Sequence, residues 1–193
     1  MRVISGSASG VALRAPKGDL TRPTTDRVRS SIFSILGDRV KGSTVLDLFA
    51  GSGTLGIESL SRGALSSTFV EARREACQCI EDNLARAGLT AGRVVKQPVE
   101  AFLNGQAAAA SLRYDLVFAD PPYATRPGDI DFGAILIQSP TLPQLMAPNG
   151  VLILEAPRDT PDPASPIWEL VDARNYGTNM IQFFQLRTLP PGD

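Results

Sequence analysis

The 193-residue chain reads as an α/β protein: a doubly wound, mostly parallel sheet preceded by a small N-terminal β-hairpin extension. Three observations predict this. From about residue 43 short apolar runs alternate with amphipathic segments, the rhythm of parallel strands covered by helices on both faces. The first run, Thr44–Leu48, passes into a glycine turn and a helical pattern, Phe49-Ala50-Gly51-Ser52-Gly53-Thr54. A later run, Tyr114–Ala119, ends in Asp120-Pro121-Pro122-Tyr123, where a doubly wound sheet would have its ligand crevice.

Taken in order, Val3-Ile4 and Val11-Ala12-Leu13 flank a Ser/Gly run and predict a hairpin. Arg22-Pro23-Thr24-Thr25-Asp26 then opens a helix reaching Leu36. Strands are expected at Thr44–Leu48, Thr68–Val70, Arg93–Lys96, Tyr114–Ala119 and Val151–Glu155. Helices are expected over 54–62, 73–87 and 131–146, the last broken near Pro140. The helix over 73–87 turns Ala76, Ile80, Leu84 and Ala87 to one side and stops at Gly88. After a Pro-rich loop, the alternating segments 167–174 and 179–187 join through Asn175-Tyr176-Gly177 as an antiparallel hairpin closing the sheet. Residues 1–41 form the extension and 42–193 the sheet domain.

Composition removes several chemistries. With no histidine in the chain, Ser-His-Asp and Cys-His triads, His-ligated zinc and an imidazole proton shuttle are excluded. Cys77 and Cys79 stand two apart on a helix and point different ways, which predicts free thiols in a reducing cytoplasm and no metal pair. No apolar stretch approaches the ~20 residues of a membrane span, and the N-terminus lacks a signal-like apolar block. The net charge of −1 conceals an asymmetry: residues 1–41 carry eight basic and three acidic side chains, +5, and the remainder carries −6. A basic extension on an acidic body suits a phosphate-bearing partner.

The glycine turn places backbone N–H groups at a helix start, and Gly51, Gly53 and Gly56 fit GxGxxG. Glu71, twenty residues after Gly51, ends the second strand where a carboxylate grips ribose hydroxyls. A nicotinamide cofactor would suit the same pattern. Asp47 argues otherwise, because an acid beneath the turn repels a pyrophosphate and suits a cationic ligand such as S-adenosylmethionine; a helix or turn cap is its structural alternative. Asp120-Pro121-Pro122-Tyr123 offers a carboxylate, stiffly aimed carbonyls and a flat ring, a set that fits a planar exocyclic amine.

Asp-Leu-Phe-Ala-Gly-Ser-Gly with Asp-Pro-Pro-Tyr resembles the methyltransferases that modify exocyclic nitrogens of nucleobases. Arg22-Pro23-Thr24-Thr25-Asp26-Arg27-Val28-Arg29, preceded by Arg2-Val3-Ile4-Ser5-Gly6, narrows the likeness. Over about residues 2–187 the chain resembles the bacterial 16S rRNA (guanine(966)-N(2))-methyltransferase family. The resemblance implies a class I S-adenosylmethionine-dependent methyltransferase, a Rossmann-like sheet in the order 3-2-1-4-5-7-6. It also implies a cytoplasmic enzyme acting on 16S rRNA in the small ribosomal subunit or its assembly intermediate. The implied catalytic residues are Asp120, Pro121, Pro122 and Tyr123. The implied cofactor residues are Asp47, Phe49, Ala50, Gly51, Ser52, Gly53, Glu71, Ala72, Val99 and Asp120. Arg2, Arg14, Arg22, Thr24, Arg27 and Arg29 are the implied RNA contacts, and Thr125–Asp131 the loop closing over the base. Two departures limit the transfer: Ser30 stands where the family has Glu, and Pro98 stands where relatives place an acidic or amide side chain near adenine. DNA adenine N6 methylation, nicotinamide-dependent oxidoreduction and noncatalytic ribosome binding are the alternatives.

Overall fold

A computed structural model describes residues 1–16, 25–106, 112–124, 126 and 128–187. Seven strands make one sheet: β1 (Thr44–Leu48), β2 (Ser66–Glu71), β3 (Gly92–Lys96), β4 (Tyr114–Ala119), β5 (Met146–Pro157), β6 (Trp168–Tyr176) and β7 (Asn179–Leu186). Their order is β3-β2-β1-β4-β5-β7-β6, the order the resemblance implies. The first five are mutually parallel, and β7 inserts antiparallel between β5 and β6. Leu48 pairs with both Val70 and Ala119, and Ala119 pairs with Leu154. Asp120, just past β4, and Glu155, still within β5, therefore stand at one level, on the side of the sheet where β1 and β2 also end.

Alternate strand residues feed two cores, one on each face. Val45, Phe69, Leu116, Phe118 and Ile153 join Phe33, Ile57 and Ile80 on one side. Leu46, Val70, Val117, Leu152 and Leu154 join Phe102, Leu136 and Trp168 on the other. Helices α1 (Asp26–Leu36), α2 (Thr54–Ser61) and α3 (Arg74–Ala87) supply the first face, and α4 (Val99–Gln106), α5 (Phe132–Gln138) and α6 (Leu142–Leu145) the second. Thr25 caps α1, its hydroxyl accepting from the Val28 N–H at 3.3 Å.

Two elements differ from the sequence expectation. Helix α4 was not foreseen, because eight residues starting behind Pro98 are too few to display a period. Strand β5 begins five residues before Val151, through a register shift between Tyr114 and Leu116 that accommodates the polar, turn-like Pro148-Asn149-Gly150. The expected break near Pro140 is present: Ser139 is extended, as a residue before proline prefers, and separates α5 from α6.

Residues 1–13 fold back through an Arg2–Ala12 bridge, with the Val3 N–H donating to Val11 O at 3.0 Å. Val3, Ala8 and Leu13 pack into the same core as α1. Glu58, 1% exposed on α2, accepts from the Ile4 and Ser5 N–H groups at 2.7 and 3.0 Å. A β-carbon at Gly6 would lie 1.8 Å from the Ser61 carbonyl oxygen, so only glycine lets the turn close on α2.

Candidate active site

Asp47 is buried beneath the glycine turn at 3% exposure, its Oδ2 accepting from the Gly56 N–H at 2.9 Å. Burial pushes its carboxyl up to about 8; the Gly56 hydrogen bond opposes the shift, and the charges of Asp120 and Glu71 add to it. Asp47 thus caps α2 and also faces an acidic cavity. Phe49, Gly51 and Gly53 carry positive φ, which folds the turn tightly, and the Gly53 N–H closes it on Ala50 O at 2.7 Å. Glu71 braces the turn from β2: its Oε2 accepts from the Gly51 N–H and its Oε1 from the Arg73 N–H, both at 2.9 Å. Asn83, fully buried on α3, donates to Ser52 O and Arg14 O at 3.0 Å and accepts from the Arg14 N–H at 2.8 Å. This side chain ties the N-terminal segment to the turn. Its position on the Ile80–Leu84 face of α3 was the available signal for it.

A cavity of about 520 Å³ opens over the turn. Asp47, Phe49, Ala50, Gly51 and Ser52 line it from β1 and the turn. Glu71, Ala72, Val99 and Asp120 line it from the neighbouring strand ends. Gly53 does not. A β-carbon there would lie 3.1 Å from Ile80, so this glycine fits the turn against α3 rather than against a ligand. Pro98, Glu100 and Phe132 also line the wall, and Phe132 meets Phe49 edge-on at 5.3 Å. Four carboxylates, those of Asp47, Glu71, Glu100 and Asp120, line it together with Arg73 and with aromatic and aliphatic walls. Burial favours the protonated form of Asp47, so this donor set fits a ligand that brings a cation and a polyol.

A second cavity, about 740 Å³, adjoins the first and shares Asp120 and Pro122 with it. Pro121 and Tyr123 line it, so all four residues of the Asp-Pro-Pro-Tyr segment meet there. The Tyr123 hydroxyl donates to Glu155 Oε1 at 3.0 Å, and Asn179 Nδ2 donates to the same oxygen at 2.5 Å. Burial, then the charge of Glu155 and its hydrogen bond, raise the Tyr123 phenol far above its ordinary range, so it stays a donor. Neither Glu155 nor Asn179 was singled out from sequence. Each ends or begins an ordinary-looking strand, and only the β5–β7 pairing brings them together.

Of the expected RNA contacts, Arg2 and Arg27 are exposed and flank one groove with Asp26 and Ser30. Arg14 is exposed against α3, apart from that groove. Arg22 and Thr24 lie outside the described residues, as do Thr125 and Pro127 of the expected closing loop. Arg29 is a correction: its side chain is 0% exposed, donates to Arg2 O at 2.5 Å and Asp26 Oδ1 at 3.0 Å, and lies 3.9 Å from Glu58. Position 29 shares the stripe of Ile32, Phe33 and Leu36, and that period, rather than the charge, decides where Arg29 points.

Residues 1–185 match the family model described as Conserved hypothetical protein 95. YlbH of Bacillus subtilis, described as a candidate rRNA methyltransferase, is 37% identical over 190 residues, covering 97% of this chain and 100% of its own length. Ribosomal RNA small subunit methyltransferase D of Escherichia coli K12 is 39% identical over 123 residues, 64% of this chain and 60% of that protein. The solved structure of the candidate methyltransferase yhhF from Escherichia coli superposes with a TM-score of 0.80 at 32% identity, covering 96% of this chain and 97% of that one. A more distant candidate methyltransferase, SMU.776, solved in complex with SAH, shares the fold at TM-score 0.66 and 16% identity, covering 83% of this chain and 49% of that one. The architecture is that of class I S-adenosylmethionine-dependent methyltransferases. With the model match over residues 1–185 and a 37% identical relative aligned along its full length, the chain belongs to the family described as Conserved hypothetical protein 95, alongside the bacterial small-subunit rRNA methyltransferases its motifs resemble.

Proposed function

We propose that this chain methylates the exocyclic N2 of a guanine in 16S rRNA, the position numbered 966 in the family it resembles, using S-adenosylmethionine on an assembling small subunit. The observation that carries the reading is the meeting of two cavities at Asp120 and Pro122. One has the charge and walls for the donor, the other the size and acceptors for a base turned out of its helix. Small-subunit rRNA as substrate is the activity in the name of the Escherichia coli relative.

S-adenosylmethionine, when bound, supplies a methyl group already activated on a sulfonium. Asp47, Glu71 and Asp120 would hold its positive charges and ribose hydroxyls, with Phe49, Ala50, Gly51, Ser52, Ala72 and Val99 as the walls. The guanine amine is a poor nucleophile because its lone pair is delocalised into the ring. Asp120 and the Pro121 carbonyl accept its two hydrogens and favour the pyramidal form, while Tyr123 offers its ring for stacking. The nitrogen gains an N–C bond as the methyl's bond to sulfur breaks, its electron pair returning to sulfur as a neutral thioether, and loses one proton, which passes to Asp120 or to water. Positioning supplies several kcal/mol of the acceleration. Residues 1–41 act as the RNA-facing extension, in which Arg2, Arg14, Arg22, Thr24 and Arg27 serve as the phosphate-binding groups, and 42–193 as the catalytic domain. A ribosomal substrate puts the enzyme in the cytoplasm.

The test is labelled methyl transfer onto small subunits, free 16S rRNA and DNA, followed by nucleoside mass spectrometry. N2-methylguanosine from rRNA is the expected product. N6-methyladenine from DNA, or no transfer with any substrate, would overturn the reading.

A further inference from the structure

One wall of the smaller cavity comes from neither the sheet nor its helices. Ala15 and Pro16 line it beside Ser52, Glu71 and Arg73. They continue the N-terminal segment past Leu13, the last of its residues in the first core, and Arg14, Ala15 and Pro16 belong to no strand or helix. Asn83, 0% exposed on α3, fixes them. Its Oδ1 accepts from the Arg14 N–H at 2.8 Å and its Nδ2 donates to Arg14 O at 3.0 Å, so the carboxamide pairs with Arg14 as a residue of a neighbouring strand would. The other Nδ2 hydrogen goes to Ser52 O at 3.0 Å.

Once anchored, this wall is stiff. The Pro16 ring fixes its own φ and keeps Ala15 extended, so both residues follow the direction given to Arg14. A carboxamide offers two donor hydrogens and an acceptor oxygen, and here both hydrogens and the oxygen are committed to the turn or to the wall. One buried side chain therefore sets the gap between Ser52 on one side of the cavity and Ala15 and Pro16 on the other. Two apolar residues on that side also keep water from the carboxylates, whose hold on a cation strengthens as the local dielectric falls.

The geometry points to Asn83 as a positioning residue for the methyl donor: it does not line the cavity, and it acts by holding Arg14–Pro16 against the glycine turn as the cavity's outer wall. The inference rests on the reading of that cavity as the S-adenosylmethionine site and adds the residue that completes its wall. Donor binding then depends on the N-terminal segment as well as on the strand ends, because a wall formed in advance spares the ligand the cost of ordering it.

The probe is S-adenosylhomocysteine, titrated by calorimetry into the full chain. Pro16→Gly removes the ring and loosens the wall, and is expected to weaken binding about threefold to tenfold. Asn83→Leu, close in volume, removes the bonds to Arg14 and Ser52 and is expected to weaken it about tenfold to a hundredfold. In the double variant the losses should not multiply: with the wall already released, adding Pro16→Gly changes affinity by less than about twofold. Hydrogen exchange in the wild-type protein gives a second reading. The Arg14 N–H is bonded to Asn83, and because the wall opens only as the ligand leaves, ligand at about a hundred times its Kd should slow that exchange by ~10²-fold. Losses that multiply assign Asn83 to the Ser52 turn alone and overturn the inference, as does wild-type affinity in either single variant. Should Asn83→Leu fail to fold, the exchange measurement decides, and an Arg14 amide that the ligand does not protect overturns the inference. Absence of binding to the wild-type protein instead refutes the reading of the donor cavity itself.

Discussion

Asp47→Asn is expected to stabilise the ligand-free protein while weakening its hold on the cofactor. The folded carboxyl, 3% exposed, is pushed up to about 8, whereas in the unfolded chain it ionises at its ordinary 3.8. Between those values the folded chain keeps a proton that the unfolded chain has released, so stability falls as pH rises, by up to ~1.4 kcal/mol per pH unit. The contribution is intact below 3.8 and fully lost above about 8. Over the roughly three pH units between 3.8 and 7 it amounts to about 4 kcal/mol. Asparagine keeps an oxygen for the Gly56 N–H and never ionises. Its additional amide hydrogen, left unpaired, takes back about 1–3 kcal/mol. The net expectation is a gain of about 1–3 kcal/mol at pH 7, vanishing by pH 5. Urea titrations at pH 5, 7 and 8.5 measure it, and calorimetry should show cofactor affinity falling about tenfold to a hundredfold with the lost charge. A variant less stable than wild type at pH 8.5, with an unchanged pH dependence, would mean that Asp47 is already ionised in the free protein, and the argument fails.

Other expectations separate the roles of neighbouring groups. Asp120→Ala should abolish methylation while weakening cofactor binding less than Glu71→Ala, which also releases the Gly51 N–H; the reverse pattern in calorimetry and turnover would exchange their roles. Binding of a cationic cofactor favours ionised Asp47, so affinity should rise with pH up to about 8 with proton release. Calorimetry in buffers of different ionisation enthalpy detects that proton. Arg27→Ala should weaken RNA binding and lower the salt slope by about 0.9 if it holds one phosphate. Arg29→Ala should leave that slope unchanged and cost about 1–3 kcal/mol of stability in urea, because it removes the donors to Arg2 O and Asp26, while Glu58 keeps Arg62 and the Ile4 and Ser5 N–H groups.

The elements legible in the sequence are those whose burial is uniform. β1 and β4 are apolar runs ended by an acid or a glycine turn, and their bounds coincide with the expectation. The first half of β5 was not legible, because pairing with Tyr114 rather than any alternation of its own makes Met146–Gly150 a strand. The site divides the same way. Asp47 near the end of β1, Glu71 at the end of β2 and Asp120 just past β4 sit where strands stop, so sequence position determines where they stand. Glu155 and Asn179 matter through each other, 24 residues apart, and no local pattern reports that pairing. Arg29 carries charge, yet its helical period places it among Ile32, Phe33 and Leu36, and Gly53 fits the turn against Ile80 rather than lining the cavity.

The wall shared at Asp120 and Pro122 has a consequence for inhibitor chemistry. Two fragments, one seated in each cavity, would end next to each other, so a short covalent tether between them would span no protein. Joining them turns the second binding event into an intramolecular one, and the tethered compound can exceed either fragment's affinity by ~10²–10⁴ without any new contact. Enzymes that share only the donor cavity would gain nothing from the second fragment, so selectivity would come from the junction rather than from the common half.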